Sequence, residues 1–116
     1  MAINGQNARS ALANAYGSNA PFAALYTTVP GASAGTEVTG GSPAYARKAA
    51  TWGGAGATNT NTATIPAFDV PSGTTVQGAG FHSAVTAGTY FDGGAVTSQA
   101  FASQGTYTLS ASVTIT

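Results

Sequence analysis

The sequence predicts an all-β protein: a single-domain β-sandwich of about seven short antiparallel strands, preceded by one short N-terminal helix. Glycine and proline recur at intervals of about ten residues from Pro21 onward, as turn residues do between the strands of a sandwich. The last segment, residues 106–116, alternates apolar and hydroxyl-bearing side chains with period two, which is typical of a strand with one buried face. The length of 116 residues fits one domain, with the helix at 4–16 and the sandwich at 21–116.

The predicted helix has both a start and an end signal. Asn4 can cap its first turn, and Gly17 stands where a left-handed C-terminal cap belongs. Between them Ala8, Leu12 and Tyr16 recur at a spacing of four, which places them on one helical face. A helix this short is not stable alone. We therefore expect it to dock on its own sheet or on a neighbouring subunit.

The rest of the chain divides at turn residues into predicted strands and loops. The seven strands are residues 22–29, 45–52, 60–68, 75–83, 89–91, 96–101 and 106–116. Small polar residues and glycine make 31–43 a loop, and Gly78 and Gly80 allow close packing within a strand. We predict tight turns at 69–73 and 92–94, where proline or glycine follows aspartate. In the last strand the predicted inward residues are Tyr107, Leu109, Ala111, Val113 and Ile115.

The scarcity of charge is the strongest compositional signal. Charged residues make up 5% of the chain, with three cations, three anions and no net charge, whereas about 25% is usual in soluble domains. Copies of such a chain do not repel one another, so we expect them to associate. Three cations cannot neutralise many phosphates, which argues against a nucleic-acid partner. We also expect no signal peptide and no membrane span, because no apolar run is long enough.

Catalytic and metal-binding patterns are not found in the sequence. His82 is the single histidine and is followed by Ser83, but adjacent strand residues point to opposite faces. No Gly-x-Ser-x-Gly motif occurs, there is no cysteine, and the three carboxylates are scattered. We therefore predict no enzymatic activity, no catalytic, cofactor-binding or metal-binding residue, and no cofactor. His82 is expected to be a strand residue near a loop, either hydrogen-bonded or solvated.

Four residues are candidates for an interface: Arg9, Arg47, Lys48 and Trp52. Arg47 and Lys48 are neighbours that face opposite sides of a predicted strand. The simpler interpretation is one salt bridge and one solvated cation; the alternative is that one of them reaches an acidic group on a neighbouring subunit. Trp52 is either a core or strand-end anchor or an interface hot spot.

Three stretches of the chain resemble a known family. They are residues 37–48 (EVTGGSPAYARK), 68–76 (FDVPSGTTV) and 101–107 (FASQGTY). Together with the Ala-rich opening helix, these stretches resemble small virion proteins of tailed phages of actinobacteria, over residues 8–114. Members are described as minor tail, tail-fibre-like, minor capsid or head decoration proteins. The family has no enzymatic residues to transfer to this chain.

The resemblance implies a non-enzymatic virion protein that is assembled in the host cytoplasm. Its expected partners are copies of itself and other virion proteins, with no membrane partner. Because the chain has no internal repeat and no heptads, features that lengthen a fibre, we favour a capsid decoration or minor capsid subunit. The alternative is a small tail-associated or tail-fibre-like protein that recognises the host, with a host-surface glycan as a candidate ligand.

Overall fold

The computed structural model of the chain describes residues 3–56 and 59–116. Within them the chain is mostly β, with one short N-terminal helix, as the sequence predicts. The helix α1 spans Gln6–Ser18. Nine strands follow: β1 Phe22–Tyr26, β2 Lys48–Ala49, β3 Thr51–Trp52, β4 Thr60–Thr64, β5 Phe68–Val70, β6 Thr74–His82, β7 Tyr90–Phe101, β8 Gly105–Tyr107 and β9 Ala111–Thr114.

The nine strands form three antiparallel sheets. The largest has the order β2-β1-β6-β7, the second has the order β3-β4-β9, and β5 pairs with β8. The molecule measures 48 × 25 × 24 Å and has a radius of gyration of 15.0 Å. A compact domain of this length has a radius of gyration of about 13 Å. The protein is therefore elongated, roughly twice as long as it is wide.

The predicted helix is confirmed, but its end signals are wrong. The N-cap is Gly5 and makes no side-chain hydrogen bond, so Asn4 is not the cap. Gly17 lies inside the last turn, and Asn19 is the C-cap. Gly17 instead allows close packing, because a Cβ there would lie 2.7 Å from Asn61 Nδ2 and 2.9 Å from Trp52 Cγ. This glycine is needed for contact with β3 and β4, not for helix termination.

The buried face of α1 also differs from the predicted one. Ala13 and Gly17 are buried, whereas Ala8 is exposed and Leu12 keeps 44% of its surface in solvent. Tyr16 is half-buried between the two faces. The spacing of four predicts burial of the larger apolar residues. The helix instead lies so close to β4 that only small residues fit at the contact.

Residues 45–52, predicted as one strand, are divided between two sheets. Lys48 and Ala49 pair with β1, and Thr51 and Trp52 pair with β4. At Ala50, between them, the backbone N–H donates to Pro21 O at 2.9 Å. The segment thus connects the four-stranded and the three-stranded sheets, which the alternation of side chains alone did not indicate.

The two predicted turns have different outcomes. Residues 68–70 form β5, so only 71–73 are left for the turn, where Gly73 has a φ of +77°. Residues 92–94 are not a turn at all: they continue β7, which merges two predicted strands. Gly93 lies opposite Gly80, and a Cβ at Gly93 would come within 2.6 Å of Ala79 O. Glycine serves here for close approach of two strands, which is also confirmed for Gly78 and Gly80 in β6.

The last predicted strand keeps its alternation but is divided in two. Residues 105–107 pair with β5 and 111–114 pair with β4, with 108–110 between them. Tyr107 and Leu109 are buried; Ala111, Val113 and Ile115 are half-buried, and the intervening residues are exposed. The predicted inward and outward faces are therefore confirmed, although full burial is limited to the first two apolar positions.

The core lies where the three sheets converge. Its largest fully buried side chains are Tyr26, Phe68, Leu25, Val38, Val70, Val76 and Asn61. Asn61 is the polar member, and its side-chain amide donates to Ala13 O at 3.1 Å and accepts from Gly54 N at 2.8 Å. Because both ends of the amide are hydrogen-bonded, its burial joins the helix to β4 at little cost.

Candidate interaction surface

His82 is a buried structural residue in β6. Its Nε2 is hydrogen-bonded to the Tyr26 hydroxyl, while its Nδ1 is buried without a hydrogen-bond partner among the described residues. Burial, reinforced by the nearby positive charge of Arg47, lowers the pKa of His82. Ser83 begins the next turn, where its hydroxyl accepts from Thr89 N at 2.8 Å. His82 is thus hydrogen-bonded, as one of the two sequence expectations had it, and Ser83 is engaged in a turn of its own.

Two negative observations apply to the described residues, 3–56 and 59–116. No group of three or more histidine, cysteine, aspartate or glutamate side chains is close enough to hold a metal ion. No helix of this part of the chain is long and apolar enough to cross a membrane.

Glu37 is the centre of a polar cluster, here called the Glu37 cluster. The cluster joins the two ends of the EVTGGSPAYARK stretch, residues 37–48. Arg47 donates to both oxygens of this carboxylate, Nε to Oε2 at 2.9 Å and Nη2 to Oε1 at 2.8 Å. The Tyr45 hydroxyl donates to Oε2 at 2.8 Å and accepts from Leu25 N at 3.0 Å. The two ends of the stretch are therefore held together over β1.

Burial and hydrogen bonding act in opposite directions on the pKa of the Glu37 carboxyl group. Burial alone would raise the pKa of the Glu37 carboxyl group, but hydrogen bonds from Arg47 and Tyr45 outweigh it and hold that pKa below its ordinary value. Burial raises the pKa of Tyr45, and the hydrogen bond to Glu37 raises it further. The cluster therefore holds one ionised pair and one neutral phenol at neutral pH.

Arg47 has further partners within the chain. Its Nη1 donates to Ala84 O at 3.0 Å and to Ala87 O at 2.6 Å, which fixes the loop between β6 and β7. All the nitrogens of its guanidinium are thus engaged, and the salt bridge expected for one of the two cations is formed with Glu37. Lys48 lies in β2 opposite Ala23 and is half-buried.

Of the other two candidates from the sequence, Arg9 lies within α1, and Trp52 packs against it. Trp52 Nε1 donates to Ala20 O at 2.9 Å, and its ring centroid lies 5.7 Å from Tyr16 and 5.4 Å from Phe81. Arg9 Nε donates to the backbone O of Ile3 at 2.6 Å. Trp52 thus anchors the strand end, as one of its two interpretations had it. The role of the four candidates at an interface stays a prediction.

A groove lies between β7 and the segment 107–112, and we call it the β7–β9 groove. It consists of two adjoining cavities of about 600 Å³ and 390 Å³, which share Ala95, Val96, Leu109 and Ser110. The remaining lining residues are Tyr16, Ala79, Phe81, Asp92, Gly93, Gly94, Thr97, Gln99, Tyr107, Thr108, Ala111 and Ser112. Asp92 is the single charged residue of this lining, and its carboxylate accepts from the Tyr16 hydroxyl at 2.6 Å.

The strands on either side of this groove are edge strands. β7 ends the four-stranded sheet and β9 ends the three-stranded sheet, so neither has a second strand partner within the described residues. β7 is twelve residues long, about twice the usual length of a strand. Most of its residues are exposed, including Phe91 at 40%. A long exposed edge presents unpaired backbone N–H and C=O groups, which are a template for another strand.

Comparison with known proteins supplies the family. Residues 8–115 match the profile of a family described as Podophage GP4 fiber I protein gp80. The chain belongs to this family. It is therefore a member of a phage fibre and structural protein family, and family membership makes it a virion component. Searches of the curated proteins and of the solved structures found no match.

Family membership corrects the emphasis of the sequence interpretation. The family is that of a podophage fibre, which fits the tail-fibre alternative better than the favoured capsid decoration. The groove was not predicted, although one signal for it was present. Residues 93–101 contain neither charge nor proline, and such a stretch lacks the residues that usually protect an edge strand.

Proposed function

We propose that this chain is a non-enzymatic structural subunit of a phage fibre, with copies of itself and other virion proteins as its partners. The observation that carries the proposal is the match to the fibre family over residues 8–115. The elongated body, 48 Å in its longest dimension, supports it, since a fibre is built from parts that extend along an axis. The more specific origin in tailed actinobacteriophages rests on the sequence resemblance alone.

The capsid decoration hypothesis has weaker support. It rests on the lack of a repeat or heptad that would provide length, yet the folded chain is itself about twice as long as it is wide. Recognition of a glycan is also weakly supported. The indole of Trp52 packs between Tyr16 and Phe81 and so does not offer the open aromatic face that a sugar platform requires.

The test is the number and location of copies in purified particles of the phage that encodes the chain. Quantitative mass spectrometry gives copies per particle, and an antibody against the chain locates it by electron microscopy. We expect a few to tens of copies and labelling of fibres. Hundreds of copies with labelling over the head would refute the fibre hypothesis and favour capsid decoration.

A further inference from the structure

The free edge of β7 is best suited for pairing at its N-terminal half. Residues 92–95 pair regularly with 78–81 of β6, whereas the register shifts between Ala95 and Gln99 and again between Asp92 and Tyr90. The Tyr107 hydroxyl also donates to Thr97 O at 2.9 Å, which occupies part of that edge. Irregularity of this kind protects an edge strand from pairing, so the unprotected part is the regular segment 92–95.

Small side chains leave this part of the edge accessible. Gly93, Gly94 and Ala95 follow Asp92 in sequence. A Cβ added at Gly94 would meet nothing within 4 Å, and its φ is not in the left-handed region. Neither packing nor backbone conformation within the chain therefore requires a glycine at this position. A backbone without a side chain does, however, allow another strand to approach closely.

The pattern of lining residues indicates what the pairing would cover. Gly94 pairs with Ala79, and Asp92 pairs with Phe81, and all four residues line the groove. Opposite residues of a pair point to the same face of the sheet. Gly93 and Ala95, which belong to the other face, line the groove as well. The groove therefore runs along the free edge of β7, where an added strand would lie.

We propose that β7 of a second copy of this chain pairs antiparallel with β7 along residues 93–95, about a twofold axis at Gly94. In this register Asp92 lies opposite Val96 of the partner. The two Asp92 carboxylates are then about 14 Å apart along the strands, at ~3.4 Å per residue, so like charges are not opposed. The two four-stranded sheets become one continuous sheet of eight strands, and the two grooves open toward each other.

A second copy fits this edge better than a charged partner does. The groove offers Asp92 as its one charge, and that carboxylate is already hydrogen-bonded to Tyr16, so little remains to select a basic ligand. The chain itself is 5% charged. A second copy presents this same edge of β7, with the same low charge. Twofold pairing of identical surfaces is the commonest form of self-association. This inference rests on the proposed structural function for its biological setting.

The experiment combines association with cross-linking. Gly94→Lys places a charge on the axis, whereas Ala11→Lys adds the same charge on an exposed position of α1. By analytical ultracentrifugation we expect a dimer for the wild type and for Ala11→Lys, and at least a tenfold rise in the dissociation constant for Gly94→Lys. Circular dichroism checks that both variants are folded.

Single cysteines test the register, since the chain has none of its own. Gly94→Cys lies on the axis and should form a disulfide-linked dimer on mild oxidation. Ala100→Cys is on the same strand but about 40 Å from its copy in this register, so it should not. A monomeric wild type at all concentrations, or equal cross-linking of both cysteines, would overturn the proposal. These results do not depend on where the protein lies in the particle, so they fail separately from the fibre hypothesis.

Discussion

Tyr26 reaches His82 across four positions of the β1–β6 ladder. In register Tyr26 lies opposite Gly78, and His82 lies opposite Phe22, yet the Tyr26 hydroxyl is hydrogen-bonded to His82 Nε2. Gly80 makes this possible, because a Cβ there would come within 3.0 Å of the Tyr26 ring. Burial raises the pKa of Tyr26 to about 12. Together with the lowered pKa of His82, this keeps the hydrogen-bonded pair neutral.

The first prediction is that His82 makes the protein less stable in mild acid. In the unfolded chain His82 takes up a proton near its ordinary pKa of 6.5, whereas in the folded chain it does so only at a lower pH. The unfolded state therefore binds more protons in this window, so the free energy of unfolding falls as the pH falls below about 6.5. Urea unfolding at pH 7.5, 6.5 and 5.5 measures this fall.

His82→Gln is the matched variant for this prediction. Glutamine can still hydrogen-bond to Tyr26 but does not titrate, so its free energy of unfolding should be flat across the same range. Glu37 does not confuse the result, because its pKa lies below 4.5. An equally steep pH dependence in wild type and variant would mean that another group is responsible.

The second prediction concerns the geometry of the Glu37 cluster. Arg47→Lys keeps the charge but cannot make the paired hydrogen bonds to Glu37 together with those to the loop carbonyls. We expect a loss of about 1–3 kcal/mol in the free energy of unfolding. Lys48→Arg, on the neighbouring residue, should change it by less than about 0.5 kcal/mol. Similar losses in the two variants would contradict a special role for Arg47.

The third prediction is that alanine destabilises the helix at Gly17. In an exposed helix the change from glycine to alanine stabilises by up to about 1 kcal/mol. Here the added Cβ would overlap Asn61 and Trp52, and overpacking of this kind costs about 1–3 kcal/mol. Thermal unfolding should show a lower Tm for Gly17→Ala. Gly31→Ala is the control, because its Cβ would meet nothing within 4 Å, and its Tm should not fall.

The fourth prediction distinguishes the faces of the last segment. Leu109→Ala removes a side chain that is 7% exposed and should cost about 2–4 kcal/mol, depending on how far the site collapses. Thr108→Ala changes an exposed neighbour and should have an effect within about 0.5 kcal/mol. Denaturant titration of both variants checks this. If Thr108→Ala were the more damaging change, the assigned faces would be wrong.

Local pattern was sufficient to predict the elements whose burial follows a simple period. The alternation from Tyr107 to Ile115 correctly gave the two faces, and alanine-rich sequence correctly gave a helix. The spacing of glycine and proline correctly indicated a β protein, and Arg47 does form a salt bridge. These features depend on neighbours within a few residues, so the sequence carries them directly.

Long-range pairing was not predictable from the same signals. Glycine at 17 and 93 has the appearance of a cap or turn, yet it lies within α1 and β7, because the atoms that require a small residue there belong to residues distant in sequence. Likewise, nothing in the alternation of residues 45–52 shows that Ala49 and Thr51 pair with different sheets. The β7–β9 groove depends on where two sheets end, which no local pattern encodes.

The position of β4 also determines when the fold can form. The strand at Thr60–Thr64 pairs with Ala111–Thr114, which is made about fifty residues later, and it also packs against the helix at the start of the chain. During translation the three-stranded sheet against which the helix packs therefore cannot be completed until the segment containing β9 has left the ribosome. Unfinished chains thus lack the three-stranded sheet, and only molecules synthesised through β9 can enter assembly with that sheet complete.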